Sequence, residues 1–83
     1  MADDLFAKVS AILTRVLQAK GVERSVFRPE DRLYEEGLGL DSLDAATLAA
    51  MLENEFTSDP YNAGEFPQTV AEIVEFYSAG KKR

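Results

Sequence analysis

The sequence predicts an all-α protein, a small helical bundle of three main helices with a long loop between the first and second. Three segments repeat apolar residues at intervals of three or four, the spacing that places them on one face of a helix. No segment shows the strict apolar and polar alternation of a half-buried strand. Because 83 residues suffice for one core but not for two, we expect a single domain over residues 1–83.

The first helix is predicted over about residues 4–19. Its apolar stripe consists of Leu5, Val9, Ile12, Leu13 and Val16. Asp3 or Asp4 is suited to cap the start, because a short acidic side chain accepts a hydrogen bond from a free backbone N–H. Gly21 follows the end, where glycine takes up the left-handed conformation that terminates many helices.

A connection of roughly 20 residues, 20–40, follows the first helix. Loops of this length are uncommon in compact domains, and they are usually functional or folded back against the core. We expect Leu33, Tyr34 and Leu38 to anchor this loop to the core.

The second helix is predicted over about residues 41–56, with Leu48, Leu52 and Phe56 at intervals of four. Pro60, Gly64 and Pro67 follow it, so the next segment has room for one short irregular helical turn, at about residues 60–65. If that turn counts as a helix, the fold is a four-helix bundle.

The last helix is predicted over about residues 69–79. Its apolar face consists of Val70, Ile73, Val74 and Tyr77, and Gly80 follows. Thr69 and Glu72 have the spacing of a capping box, in which each side chain accepts a hydrogen bond from the backbone N–H of the other residue.

The charge and composition exclude several classes of function. A net charge of −6 disfavours nucleic acid as a partner, because nucleic-acid binding depends on Lys and Arg neutralising phosphates. No apolar run approaches the roughly 20 residues that span a bilayer, so we expect no membrane partner. The first residues lack the basic and apolar regions of a secretory signal, and the chain contains no cysteine. We expect a monomer in the cytoplasm.

The acids are concentrated in the middle of the chain. Between residues 30 and 59 there are nine acids against one base, Arg32. The nine are Glu30, Asp31, Glu35, Glu36, Asp41, Asp44, Glu53, Glu55 and Asp59. Such a segment favours encounter with basic partner surfaces. A solvated surface without a partner is the alternative.

The run Gly37-Leu-Gly-Leu-Asp-Ser-Leu-Asp44 takes a glycine-containing loop into the second helix. Asp41 is placed to cap the helix, and Asp44 lies in the first turn, where the helix dipole favours negative charge. Ser42 then occupies the first helical position with its hydroxyl outward, open to another enzyme. A phosphate on it would lie near free N–H groups at the positive end of the helix. Taken alone, Asp-Ser-Leu is better explained by capping.

The chain is poorly equipped for catalysis, and we predict no catalytic residue and no metal site. A nucleophilic serine needs an adjacent base, and the sequence contains no histidine. An ordinary carboxylate, of pKa about 4, is a poor base near neutral pH. Phosphate-binding and calcium-binding loop motifs are also missing from the sequence. The chain is therefore predicted to be acted upon by other enzymes.

The run around Ser42 resembles the phosphopantetheine attachment motif of acyl carrier proteins, in which Asp-Ser-Leu opens the second helix. The resemblance covers nearly the whole chain. It includes the first helix, the long loop, Leu38 four residues before the serine, and Thr69-Val70 opening the last helix. The Leu48, Leu52, Glu53 and Phe56 pattern of the second helix also belongs to it.

This resemblance implies a covalent cofactor, 4'-phosphopantetheine, which a phosphopantetheinyl transferase would move from coenzyme A onto Ser42. The thiol of that arm would carry acyl or aminoacyl groups as thioesters. The resemblance also implies acyl-transferring, ligase or synthase enzymes as partners, with basic docking surfaces that meet Asp41, Leu43, Asp44 and Glu53. Leu43 would then be an exposed apolar anchor; a buried core position is the alternative.

Two positions depart from the pattern of fatty-acid carriers. Thr47 stands where those carriers usually have an acid, and Ala50 stands where they have a bulky apolar residue. Both differences fall on the expected partner-recognition surface, and they favour a carrier of a specialised pathway. A housekeeping fatty-acid carrier and an unmodified acidic interaction module are the alternatives.

Overall fold

A computed structural model describes residues 2–34 and 36–78, with side chains from Asp4 onward. This part of the chain contains three helices, α1 (Ala2–Ala19), α2 (Ser42–Phe56) and α3 (Val70–Ser78). Helix α1 packs against both α2 and α3. The described residues form no named strand, so the predicted all-α fold is confirmed.

Helix α1 begins two residues before its predicted start. Because it begins at Ala2, Asp3 and Asp4 lie inside the helix, and the prediction that one of them is the cap is wrong. Neither acid belongs to the apolar stripe, so the apolar pattern alone does not place this boundary, and helix ends commonly vary by one or two residues.

The other end of α1 is closed by Gly21, as the sequence predicts. Gly21 has a φ of 84°. Its N–H donates to the Gln18 carbonyl at 3.0 Å, and the Val22 N–H donates to the Leu17 carbonyl at 2.9 Å. This pair of bonds is a Schellman motif, which satisfies carbonyls that the last helical turn leaves free.

The long loop is folded back onto the start of α3. Arg32 and Thr69 form an isolated antiparallel bridge. Around it, the Leu33 N–H donates to the Gln68 carbonyl at 2.9 Å, and the Val70 N–H donates to the Asp31 carbonyl at 3.0 Å. These backbone bonds join segments that are almost forty residues apart in sequence.

The predicted anchors of this loop are confirmed. Leu33 and Leu38 are buried in the core, and Tyr34 packs against its edge. Phe27 and Leu40 are buried as well, although the sequence pattern did not single them out. Four buried side chains, Phe27, Leu33, Leu38 and Leu40, therefore attach the loop to the core.

The segment between α2 and α3 forms turns over residues 60–64 and does not form a fourth helix. The bundle in the described residues therefore has three helices, not four. The buried Asp59 side chain accepts the Asn62 N–H at 2.8 Å, which starts this turn. The Tyr61 hydroxyl lies 2.6 Å from that of Tyr34 and connects the turn to the long loop. Burial, with this hydrogen bond, raises the pKa of Tyr61 above its ordinary value.

The start of α3 differs from the predicted capping box in one bond. The Thr69 hydroxyl accepts the Glu72 N–H at 3.2 Å, as expected for a cap. The Glu72 carboxylate accepts from the N–H of Gln68, at 2.7 Å, and so reaches one residue further back than Thr69. Gly80, predicted to follow the helix, lies outside the described residues.

Leu48 and Leu52 of α2 are 0% exposed, as the spacing of the apolar residues predicts. They belong to one cluster with Leu13 and Leu17 of α1 and Ile73 of α3. At the far end of α2, the Phe56 ring stacks on that of Tyr77 at 4.2 Å. The core therefore fixes α2 along its length.

Truncation of either buried leucine, as Leu48→Ala or Leu52→Ala, should lower the free energy of unfolding by about 2–5 kcal/mol. The loss is large because it combines lost burial with a cavity in the core of a small domain. Chemical denaturation measures it. Leu43→Ala is the matched control, since Leu43 lies on the same helix and is 75% exposed. The control should stay within about 0.5 kcal/mol of wild type. Equal losses in all three variants would contradict this assignment of the core.

Candidate functional site

The start of α2 is fixed by two reciprocal hydrogen bonds. The Asp41 carboxylate accepts the Asp44 N–H at 2.9 Å, and the Asp44 carboxylate accepts the Asp41 N–H at 3.0 Å. Asp41 has extended backbone angles, as expected of an N-cap. The predicted roles of the two residues at the helix start are confirmed. Together they determine which residue is the first of the helix.

Ser42 is that first residue, and its side chain is exposed. Among the described residues, its hydroxyl has no hydrogen-bond partner. The backbone N–H groups of Ser42 and Leu43 likewise have no acceptor there. A phosphate bonded to this hydroxyl would lie beside two free donors at the positive end of the helix dipole. The residues present therefore fit a phosphodiester at this position.

Lys20, just beyond α1, is bound to this helix start. Its Nζ donates to Asp44 Oδ2 at 2.6 Å and to the Gly39 carbonyl at 3.0 Å. The hydrogen bond from Lys20, followed by that from the Asp41 N–H, lowers the pKa of Asp44. The same bond to Asp44 raises the pKa of Lys20. Sequence reasoning missed this contact, because the two residues are 24 positions apart and no local pattern connects them.

Two glycines shape the loop that leads into Ser42. A Cβ on Gly37 would lie 1.9 Å from the Arg32 carbonyl oxygen, so a side chain there would collide with backbone. Gly39 has open space around it but a φ of 76°, which side-chain-bearing residues rarely adopt. One position needs glycine for space and the other for its backbone angle.

The remaining predicted recognition residues lie along one exposed face of α2. Leu43, Thr47, Ala50 and Glu53 are all exposed, at intervals of four, three and three. Residues at these intervals share a helix face. Leu43 is 75% exposed, so the alternative that it belongs to the core is wrong. Asp44 is different, since it contacts Lys20 and only 15% of its side chain is exposed.

Ala50 also lines a shallow recess between α1 and α2, with a volume of about 390 Å³. The other lining residues are Ile12, Arg15, Met51, Asn54 and Glu55. A more apolar groove of about 500 Å³ lies elsewhere, between α1, the long loop and α3, and no residue of α2 lines it. The small side chain of Ala50 therefore affects the shape of the face that contains Leu43.

A comparison with protein families finds one matching family model, described as the phosphopantetheine attachment site, over residues 7–61. That span is about two thirds of the chain, and it includes most of α1, the whole long loop and all of α2. The chain belongs to the acyl carrier protein family. No curated protein matches it, and no solved structure does.

Membership establishes the cofactor and the general role of the carrier. The cofactor is covalently attached 4'-phosphopantetheine, which has a terminal thiol to which cargo is bound. Carrier domains of this kind interact with a phosphopantetheinyl transferase and with synthase or transferase enzymes, and they are typically the substrates of those enzymes.

Two further observations concern membrane spanning and metal binding. No helix in the described part of the chain is long and apolar enough to cross a membrane. Within the same residues, no three His, Cys, Asp or Glu side chains are placed to hold a metal ion.

Gly37→Ala should destabilise the loop before Ser42, because the new methyl group forces the Arg32 carbonyl to move. We expect the free energy of unfolding to fall by about 1–3 kcal/mol, as in other overpacked positions. Amide signals of Leu38 and Leu40 should shift, since both N–H groups bond within this loop. Gly64→Ala is the control: its φ is 86° and its surroundings are open, so it tests backbone strain without collision. A smaller loss at Gly37 than at Gly64 would contradict the close approach.

Proposed function

We propose that Ser42 is the residue that bears the phosphopantetheine arm, and that the chain presents acyl or aminoacyl thioesters to biosynthetic enzymes. One observation carries the proposal. Ser42 is an exposed serine at the first position of α2, beside two backbone N–H groups that have no acceptor within the described residues. It also lies within the span matched by the phosphopantetheine attachment family.

The other serines in that span are less suited to the reaction. The hydroxyl oxygens of Ser10 and Ser58 are buried. Ser25 is exposed but lies in the long loop, away from any helix start. Only Ser42 combines an accessible hydroxyl with donors that would hold the phosphate.

The transfer reaction forms a bond from Ser42 Oγ to the β-phosphorus of coenzyme A and breaks the pyrophosphate bond of that molecule. Adenosine 3',5'-bisphosphate leaves, and the hydroxyl proton must be accepted by a base. No histidine exists in the chain to accept it. We therefore assign the base to the transferase, while this chain supplies the hydroxyl and the two N–H donors.

Incubation with coenzyme A and a broad-specificity transferase should add one phosphopantetheine to the wild type. Ser42→Ala should add none, because no other serine offers a hydroxyl at a helix start. Intact mass measures the addition, and circular dichroism checks that the variant is folded. Ser25→Ala is the matched control, an exposed serine in the same span, and should be modified like wild type. Addition to Ser42→Ala would show that another residue is modified and would refute the assignment. No addition to wild type with several transferases would favour an unmodified interaction module.

For the pathway, we propose a specialised one, with Thr47 and Ala50 as the residues that separate this carrier from fatty-acid carriers. Both are exposed on the face that contains Leu43 and Glu53, where a partner would meet them. Thr47 lacks charge, and its hydroxyl donates to the Leu43 carbonyl at 3.2 Å. Ala50 leaves a recess where a large side chain would protrude. A housekeeping fatty-acid carrier is the second candidate, favoured by the shared pattern of core leucines.

The proposed class of partner follows from the charge of the chain. Its net charge of −6 favours partners with basic docking surfaces and disfavours nucleic acid. We propose that Asp41 and Glu53, both exposed, contribute to that attraction. We further propose that the chain acts as a monomeric cytoplasmic carrier without catalytic activity of its own.

The double variant Thr47→Glu with Ala50→Met tests the pathway proposal. It should gain activity with fatty-acid synthase enzymes, because it restores an acid and a bulky apolar group on the recognition face. Transacylation rates measure the change. Ala11→Met with Gln18→Glu is the control, since it places the same new side chains on exposed positions of α1 and should change nothing. If wild type already serves the fatty-acid enzymes fully and the variant matches it, the housekeeping candidate is correct.

A further inference from the structure

The contact between Lys20 and Asp44 occupies one of the acids predicted to meet a partner. The Asp44 carboxylate already accepts two bonds, from Lys20 Nζ at 2.6 Å and from the Asp41 N–H at 3.0 Å. Both bonds go to the same oxygen, Oδ2. A lysine or arginine of a partner that approached this oxygen would have to compete with the Lys20 ammonium group for it.

Lys20 is held in place by a second hydrogen bond, so its contact with Asp44 is better ordered than an isolated ion pair on the surface. Its Nζ also donates to the Gly39 carbonyl at 3.0 Å, and Gly39 is three residues before Ser42. The Schellman motif at Gly21 fixes the backbone next to Lys20. Two fixed acceptors and a fixed backbone reduce the freedom that usually weakens an exposed ion pair.

The contact changes the charge of the surface beside Ser42. With Asp44 paired to Lys20, the exposed residues of α2 nearest the serine are Leu43, Ala46 and Thr47, none of which is charged, and the cap Asp41 is the exposed acid that remains beside it. The first acid within the exposed face formed by Leu43, Thr47, Ala50 and Glu53 is Glu53, eleven residues after Ser42 and about 16 Å along the helix. That distance exceeds a Debye length of about 8 Å at physiological salt.

We infer that Lys20 is a specificity-determining residue: it binds the Asp44 carboxylate and so keeps that acid from binding partner enzymes. The carrier then selects partners that offer an apolar pocket to Leu43 and no cation opposite Asp44. Enzymes that dock by placing a basic residue at this acid are disfavoured, because two cations would compete for one carboxylate. This inference rests on the proposed role of Ser42, but it concerns the rate of modification and not its position.

The experiment measures the second-order rate constant for phosphopantetheine transfer to Ser42 by a transferase with a basic docking surface. Lys20→Met should raise that constant by roughly three- to tenfold at low salt, because an acid beside the serine becomes available to the transferase. The gain should vanish near 1 M salt, where the Debye length is about 3 Å. Lys20→Arg keeps the cation and should behave like wild type.

Two further variants separate this effect from a change in net charge. Lys8→Met removes the same charge twelve residues earlier, about 18 Å along α1, and should leave the rate near that of wild type. Lys20→Met combined with Asp44→Asn should fall back to the rate of Asp44→Asn alone, because the effect of Lys20 passes through Asp44. Thermal unfolding of each variant checks that the fold is kept.

Every result separates the inference from its alternatives. A lowered or unchanged rate for Lys20→Met would overturn the inference. A lowered rate would show that the lysine serves to position the loop. A raised rate that persists in the Asp44→Asn background, or that Lys8→Met reproduces, would also overturn it, since net charge would then be the cause. If no variant is modified at Ser42, the proposed function fails instead.

Discussion

The reciprocal hydrogen bonds between Asp41 and Asp44 decide where α2 begins, and the presentation of Ser42 depends on that boundary. A start one residue later would leave the serine at the cap, with its hydroxyl turned to a backbone N–H. A start one residue earlier would turn it by about 100° around the helix. Because the two acids bond each other's backbone, the serine keeps a free hydroxyl at the first helical position.

The loop before this boundary is held by contacts from distant parts of the chain. The Leu38 N–H donates to the Arg32 carbonyl at 2.8 Å, and the same carbonyl oxygen excludes a side chain at Gly37. Arg32 in turn is bridged to Thr69 at the start of α3. The position of the loop before Ser42 is therefore coupled to the packing of the last helix, which lies outside the span matched by the family model.

The acidic residues near α2 differ in what they offer a partner. Asp41 and Glu53 are exposed, whereas Asp44 is covered by Lys20. Counting acids in the sequence overstates the negative field beside Ser42, because the Lys20 ammonium group cancels part of it. The exposed surface that follows the serine is formed by Leu43 and by the small side chains of Ala46 and Thr47.

The sequence by itself determined the helices of the core, the capping of α2 and the place of Ser42. These features follow from local chemistry: the spacing of Leu48 and Leu52, short acids at a helix start, and glycine after a helix. Tertiary structure decided the contact of Lys20 with Asp44, the exposure of Leu43 and the burial of Phe27. Each of these depends on which segments meet across the fold, and Lys20 and Asp44 are 24 residues apart. A periodic pattern identifies the face of a helix, but only the packed chain shows which side chains cover it.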